Sequence, residues 1–203
     1  MKSLYRFFAI ALPTMWWCML SGLSYQRTWR LRGRVHIIRH GWIMRLLLHT
    51  ENGELKIGSG FRCNNKVESN SIGLIQPCVF NVSYPGSRLI IGDNVGISGS
   101  SICARKSIKI GNNVLLGSGC LITDSDAHPI DWQVRRESRE DHVRCAPIII
   151  GDDVFIGARS IILKGVKIGD RSVIGAGSVV VKDVPADCIV SGNPAKVVRC
   201  LNN

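Results

Sequence analysis

His128 stands in the segment Thr123-Asp124-Ser125-Asp126-Ala127-His128-Pro129, two residues after one Asp and four after another. An imidazole takes up and releases a proton near neutral pH, so a neutral His there can accept a proton from a hydroxyl or an amine. Asp126 or Asp124 can fix the ring tautomer and stabilise the imidazolium that forms. The other use of His is metal binding, which needs about three protein ligands. Downstream of residue 50 the chain offers only His128 and His142, while His36, His40 and His49 lie in the first fifty residues. That set falls short of a zinc site.

The elements that must hold His128 are readable from a six-residue period. Ile150, Ile156, Ile162, Ile168, Ile174 and Val180 recur at that spacing, with Gly directly after four of them, at Gly151, Gly157, Gly169 and Gly175. A helical period of 3.6 residues cannot keep such spacing on one face, and a hairpin strand of period two needs no Gly in register. A short strand plus a turn, stacked as one side of a triangular coil, accounts for both features. The aliphatic residue points into the prism, and Gly serves positive φ or close backbone approach. Upstream, Ile91, Ile97 and Cys103 keep the period, and a seven-residue step leads to Ile110, Leu116 and Ile122. One bulged residue after Cys103 is the simplest reading. Ile57 and Cys63 also fit, and the pattern then dissolves up to Ser87.

Between Ile122 and Ile150 the period stops, and the densest run of charge in the chain follows. A solenoid accepts an insertion at a corner when the loop leaves the stack, so residues 124–146 should protrude with His128 at their base.

The first fifty residues differ in kind. They hold eight Lys or Arg and no acid, together with Phe7, Phe8, Trp16, Trp17, Trp29 and Trp42, within a chain of net charge +11. A composition boundary near Thr50 follows, giving a basic aromatic arm at 1–50, a repeat domain at 51–199 and a tail at 200–203. An arm of this kind suits an anionic membrane surface or a solvated face; no recognition motif for nucleic acid accompanies it. The apolar stretch from Phe7 to Leu20 is short for a membrane span and is interrupted by Pro13, which favours a retained helix at the membrane or in a core. The eight Cys residues include no Cys-x-x-Cys pair, and reduced thiols in a cytoplasmic protein are the expectation.

The Ile-Gly hexapeptides, the segment ITDSDAHPI and the tail IGAGSVVVKDVPADCIVSGNPAKVVR together resemble the hexapeptide-repeat acyltransferases, in the branch of galactoside, maltose and polysaccharide acetyltransferases. The resemblance covers residues 54–199 and implies an all-β fold, a left-handed parallel β-helix, which is an exception to the right-handed crossover rule. It further implies homotrimers with active sites between subunits, acetyl-CoA as donor, no metal and no covalent intermediate. The family's catalytic base matches His128, which would deprotonate a sugar hydroxyl while a backbone N–H stabilises the oxyanion. Ala158 and Ala176 match pantetheine contacts, and Lys182, Lys196 and Arg199 match contacts to the CoA phosphates. Phe155 stands where the galactoside enzymes carry Trp, and Ser98 where they carry an acceptor-binding Asn. The loop after His128 is longer than theirs, which suggests a larger or lipid-linked saccharide acceptor.

Three functional classes follow. The first is O-acetylation of a surface polysaccharide or its precursor at the cytoplasmic face of the inner membrane. N-acetylation of an amino sugar or antibiotic is the second, and the third is a β-solenoid scaffold or a zinc protein of the γ-carbonic anhydrase type.

Overall fold

The computed structural model describes residues 30–32, 36–38, 53–67, 70–137 and 139–201. The first coil contributes β1 (Arg30–Arg32) and β2 (His36–Ile38), and the second contributes β3 (Glu54–Ile57), β4 (Arg62–Asn64) and β5 (Val79–Asn81). Coil three carries β6 (Arg88–Ile91), β7 (Gly96–Ser98) and β8 (Ser101–Cys103). Coil four carries β9 (Ser107–Ile110), β10 (Leu115–Leu116) and β11 (Leu121–Thr123). In coil five stand β12 (Ile148–Ile150), β13 (Phe155–Ile156) and β14 (Ile161–Ile162), and in coil six β15 (Lys167–Ile168), β16 (Val173–Ile174) and β17 (Val179–Val180). The chain closes with β18 (Cys188–Gly192) and β19 (Ala195–Cys200), an antiparallel pair.

Strands of successive coils pair in parallel and form three faces of a left-handed prism. Face A has eight strands in the order β1-β4-β7-β10-β13-β16-β18-β19, face B has six from β17 down to β2, and face C has five from β15 down to β3. The A/B, B/C and C/A corners therefore run as three edges along the stack. Ile150 and Ile168 are direct register partners, as are Ile156 and Ile174, and Ile162 and Val180, so the coil of eighteen residues expected from the hexads is the repeat observed. All six are buried on the prism axis.

Gly at the strand ends is required chiefly by close approach of the next coil. A Cβ at Gly157 would lie 2.5 Å from the backbone nitrogen of Ala176, and one at Gly111 would lie 2.6 Å from the carbonyl oxygen of Gly151. Neither residue has positive φ. The buried hydroxyls of Ser100, Ser160 and Ser178 donate to corner carbonyls, which satisfies groups that the aliphatic core cannot.

Three expectations are corrected. Ile102, not Cys103, is the core residue of β8: Ile102 is fully buried and pairs with Ile122, while Cys103 pairs with Thr123 and is half-buried. The step from Ile97 to Ile102 is one residue short, and two extra residues follow at the B/C corner around 104–107, so two opposite changes with a net gain of one replace the single bulge. Next, the described parts of the first fifty residues, β1 and β2, are strands paired with β4 and β5; the helix expected from Phe7 to Leu20 lies outside the described residues. Pairing thus reaches back past the boundary set near Thr50. Finally, not every thiol is reduced. Cys188 and Cys200 face each other in the β18–β19 register and form a disulfide that pins the terminal hairpin. Cys120 takes a Ser rung, its thiol donating to the Gly117 and Gly157 carbonyls, and burial pushes that thiol up.

Candidate functional site

The segment carrying His128 leaves face B at Thr123 and returns to face C at Ile148, so it sits on the B/C edge. Its neck is closed by an antiparallel bridge between Ser125 and Cys145, with Asp126 N–H donating to the Arg144 carbonyl and Ala146 N–H to that of Asp124. Beyond the neck, a short helix α1 (Trp132–Arg136) is capped by Asp131, whose carboxylate accepts from the N–H groups of Gln133 and Val134. The long protruding loop expected from the break in the period is present. Arg105 braces it from the coil below: the guanidinium stacks on Tyr84 at 4.4 Å and donates to the Glu140 carbonyl at 2.9 Å.

His128 itself is exposed at the base of this loop. Its N–H donates to the Asp126 carbonyl at 2.7 Å across Ala127, which has a φ of 60°. Asn94, Asn113, Asp153, Arg159, Arg171 and Asp187 adopt the same left-handed region at coil corners, so the turn belongs to the solenoid's ordinary corner geometry. The imidazole makes no side-chain hydrogen bond among the described residues, and it is free to meet a second group.

Neither Asp orients the ring. Asp124 is fully buried, and its carboxylate accepts from the backbone N–H groups of Arg105, Lys106 and Ser107 at 2.7, 2.8 and 2.6 Å. It fastens the two-residue expansion at the corner below. Asp126 pairs with the ammonium of Lys164 through one oxygen, while the other is buried without a partner. The orienting role expected for both is therefore corrected: one anchors the corner, and the other locks the loop base to the next coil. Neither Lys164 nor Arg105 stands in a motif that marks it for a role. The hexad register carried a signal for Lys164, because pairing of Ile122 with Ile162 sets it one rung above Asp124.

The remaining candidates divide between edges. Lys182 follows β17 and shares the B/C edge with His128. Ala158 and Ala176 occupy successive rungs of the A/B edge, the Ala176 backbone lying against Gly157. Lys196 pairs with Ser191 beside the β18–β19 turn, and the N–H of Gly192 in that turn donates to Ser178, which puts Lys196 at the top of the A/B edge. Ser98 ends β7 near the same edge, two rungs below Ala158. Phe155 and Arg199 are exposed on face A, where Phe155 lies between Leu115 and Val173. The structure thus brings Ala158, Ala176 and Lys196 together and separates them from His128 and Lys182. A side of six extended residues spans about 20 Å. Among the described residues no cluster of three His, Cys, Asp or Glu forms a metal-ligating group, and no helix is long and apolar enough to cross a membrane. The segment Phe7 to Leu20 lies outside the described residues.

A second insertion, residues 65–78, leaves the A/B corner of coil two and folds back over that edge. Ser118 donates its hydroxyl to the Gly73 carbonyl at 2.7 Å, and the Gln76 amide donates to Ser101 at 2.6 Å. At its neck Cys63 and Cys78 are in hydrogen-bonding contact; burial pushes the Cys63 thiol up, and the bond from Cys63 pulls Cys78 down.

The chain matches the model of the hexapeptide repeat of succinyl-transferase at residues 88–124 and 147–182. A putative acetyltransferase of Schizosaccharomyces pombe is 45% identical over 96 residues, covering 47% of this chain and 44% of the relative. A polysialic acid O-acetyltransferase of Escherichia coli is 36% identical over 120 residues, covering 58% of this chain and 38% of the relative. The chain thus spans less than half the length of either. A hexapeptide-repeat acetyltransferase of Vibrio cholerae, solved with acetyl coenzyme A, superposes with a TM-score of 0.51 at 31% identity, covering 74% of this chain and 70% of that one.

Proposed function

This chain belongs to the hexapeptide-repeat acyltransferase family, and on that premise we propose that it transfers an acetyl group from acetyl-CoA to a sugar hydroxyl of a surface polysaccharide or its lipid-linked precursor. The observation that carries the reading is an exposed His on a braced loop base, facing outward from one edge, while another edge of the prism is open near Gly177 and ends in a cation. On the A/B edge nothing lies within 4 Å of a Cβ built at Gly177, so the backbone from Ala158 to Lys196 is accessible to an extended ligand arm. Lys196 and Arg199 at the end of the stack supply charge for phosphates.

His128 and Ala158 stand on different edges, and reacting atoms must come within about 3–3.5 Å. A site using both takes His128 and Lys182 from one copy and Ala158, Ala176 and Lys196 from its neighbour. Such a contact is heterologous, and a three-fold rotation closes it into the homotrimer of this reading. In such a site His128 accepts the proton of the acceptor hydroxyl as its oxygen attacks the thioester carbonyl; the thiolate leaves, and backbone N–H groups stabilise the oxyanion. With Asp126 engaged by Lys164, the ring's orientation comes from the Ala127 turn and from the neighbouring copy.

Thiol release from acetyl-CoA over a panel of sugars, amino sugars and lipid-linked saccharides tests this, with His128→Ala beside wild type. Acceptor-dependent release that falls at least a hundredfold in the variant supports the reading. Release with amino sugars alone moves it to N-acetylation, and no release with any acceptor refutes it. The basic arm supports a peripheral site at the cytoplasmic face of the membrane; failure of the full chain to sediment with anionic vesicles would remove that part.

A further inference from the structure

The insertion at 65–78 does more than decorate the corner. It covers the A/B edge at Gly99, where a Cβ would meet the Gln76 carbonyl oxygen at 2.7 Å and Leu74 at 2.9 Å. It still touches at Gly119, where Ile75 would lie 3.4 Å away, and the edge is open by Gly177. The cover therefore ends beside Ala158. At that end lies a cavity of about 310 Å³, lined by Ile72, Leu74 and Ile75 of the insertion and by Ser118, Ala158 and Arg159 of the edge. Ile72 and Ile75 are 66% and 69% exposed, so their side chains are open to a ligand at this end of the edge.

A donor bound as proposed above runs down this edge, with phosphates by Lys196, then Ala176, then Ala158. Rungs are about 4.8 Å apart, so the Ser118 rung is the next step beyond Ala158 along that run, and there the cavity begins. The lining decides what enters. The Ser118 hydroxyl is already committed to Gly73, and the one charged lining side chain, Arg159, is itself exposed to solvent, while Ile72, Leu74 and Ile75 make an aliphatic wall. Against that aliphatic wall a sugar's hydroxyls would find no partner, at a cost that a hydrocarbon chain does not incur.

We propose that Ile72, Leu74 and Ile75 form an acyl pocket that receives the hydrocarbon end of an acyl-CoA, so that the enzyme binds donors longer than acetyl. The inference rests on the acyltransferase reading above, and it concerns donor selection only.

Calorimetric titration of the full chain with acetyl-CoA and with butyryl-CoA separates the two, because it needs no acceptor. Butyryl-CoA should bind at least fivefold more tightly than acetyl-CoA. That advantage should fall below twofold in Ile75→Trp, which fills the cavity, and in Ile72→Asn, which makes its wall polar. Both positions are exposed, so folding is not at stake. If both thioesters bind in wild type and the advantage is under fivefold, or if it survives either substitution, the acyl pocket is wrong while the acetyltransferase reading stands. If neither thioester binds, both fall.

Discussion

Replacing Asp124 by Asn separates a structural from a catalytic role for the carboxylate four residues before His128. One carboxylate oxygen accepts the N–H of Arg105, and the other accepts those of Lys106 and Ser107. Asn retains one accepting oxygen. In its better orientation it keeps two of the three bonds, loses the charge on both and turns its own N–H groups against the third donor. A buried hydrogen bond to a charged group contributes about 1.5–3 kcal/mol, so the substitution should cost about 2–4 kcal/mol. For a chain of this size that lowers Tm by about 5–15 °C. Because the Asp124 carbonyl also accepts from Ala146 at the loop neck, the loop should become more susceptible to protease well below Tm. The assay is a circular-dichroism melt beside turnover measured at low temperature. A Tm within about 2 °C of wild type together with lost turnover would refute the anchoring role and return Asp124 to the chemistry.

Gly157→Ala should destabilise by about 3 kcal/mol or more, because its Cβ meets the Ala176 backbone of the next coil rather than a movable side chain. Gly177→Ala, with open space but a φ of 72°, should cost only about 1–2 kcal/mol; equal melts for the two would count against close approach as the reason for the hexad Gly. Arg105→Ala removes the Tyr84 stack and the Glu140 bond, so tryptic cleavage at Arg135, Arg136 or Arg139 should accelerate severalfold, read by mass spectrometry. Reduction of Cys188–Cys200, or Cys200→Ser, frees the strand that carries Lys196 and Arg199 and should weaken CoA binding. Unchanged affinity after verified reduction would show that strand pairing alone holds the hairpin.

What the sequence by itself determined is the stack. One aliphatic residue per side must face the axis, and Gly must follow where the next coil touches, so Ile150 through Val180 spell out both period and faces. His128 at a break in that period, on a loop leaving the prism, was equally legible, since a break in a strict repeat is local information. Tertiary structure alone decided what depends on residues that are distant in sequence. Asp124 became an anchor because a two-residue expansion one coil below needed three acceptors. Lys164 met Asp126 because a loop of more than twenty residues returned to the same edge. Ile102 replaced Cys103 in the core because one corner is short and the next long, which no fixed period reveals. The division of the candidates between two edges has the same cause: corners advance with every hexad, so residues similar in role end on one edge or another according to their count around the coil.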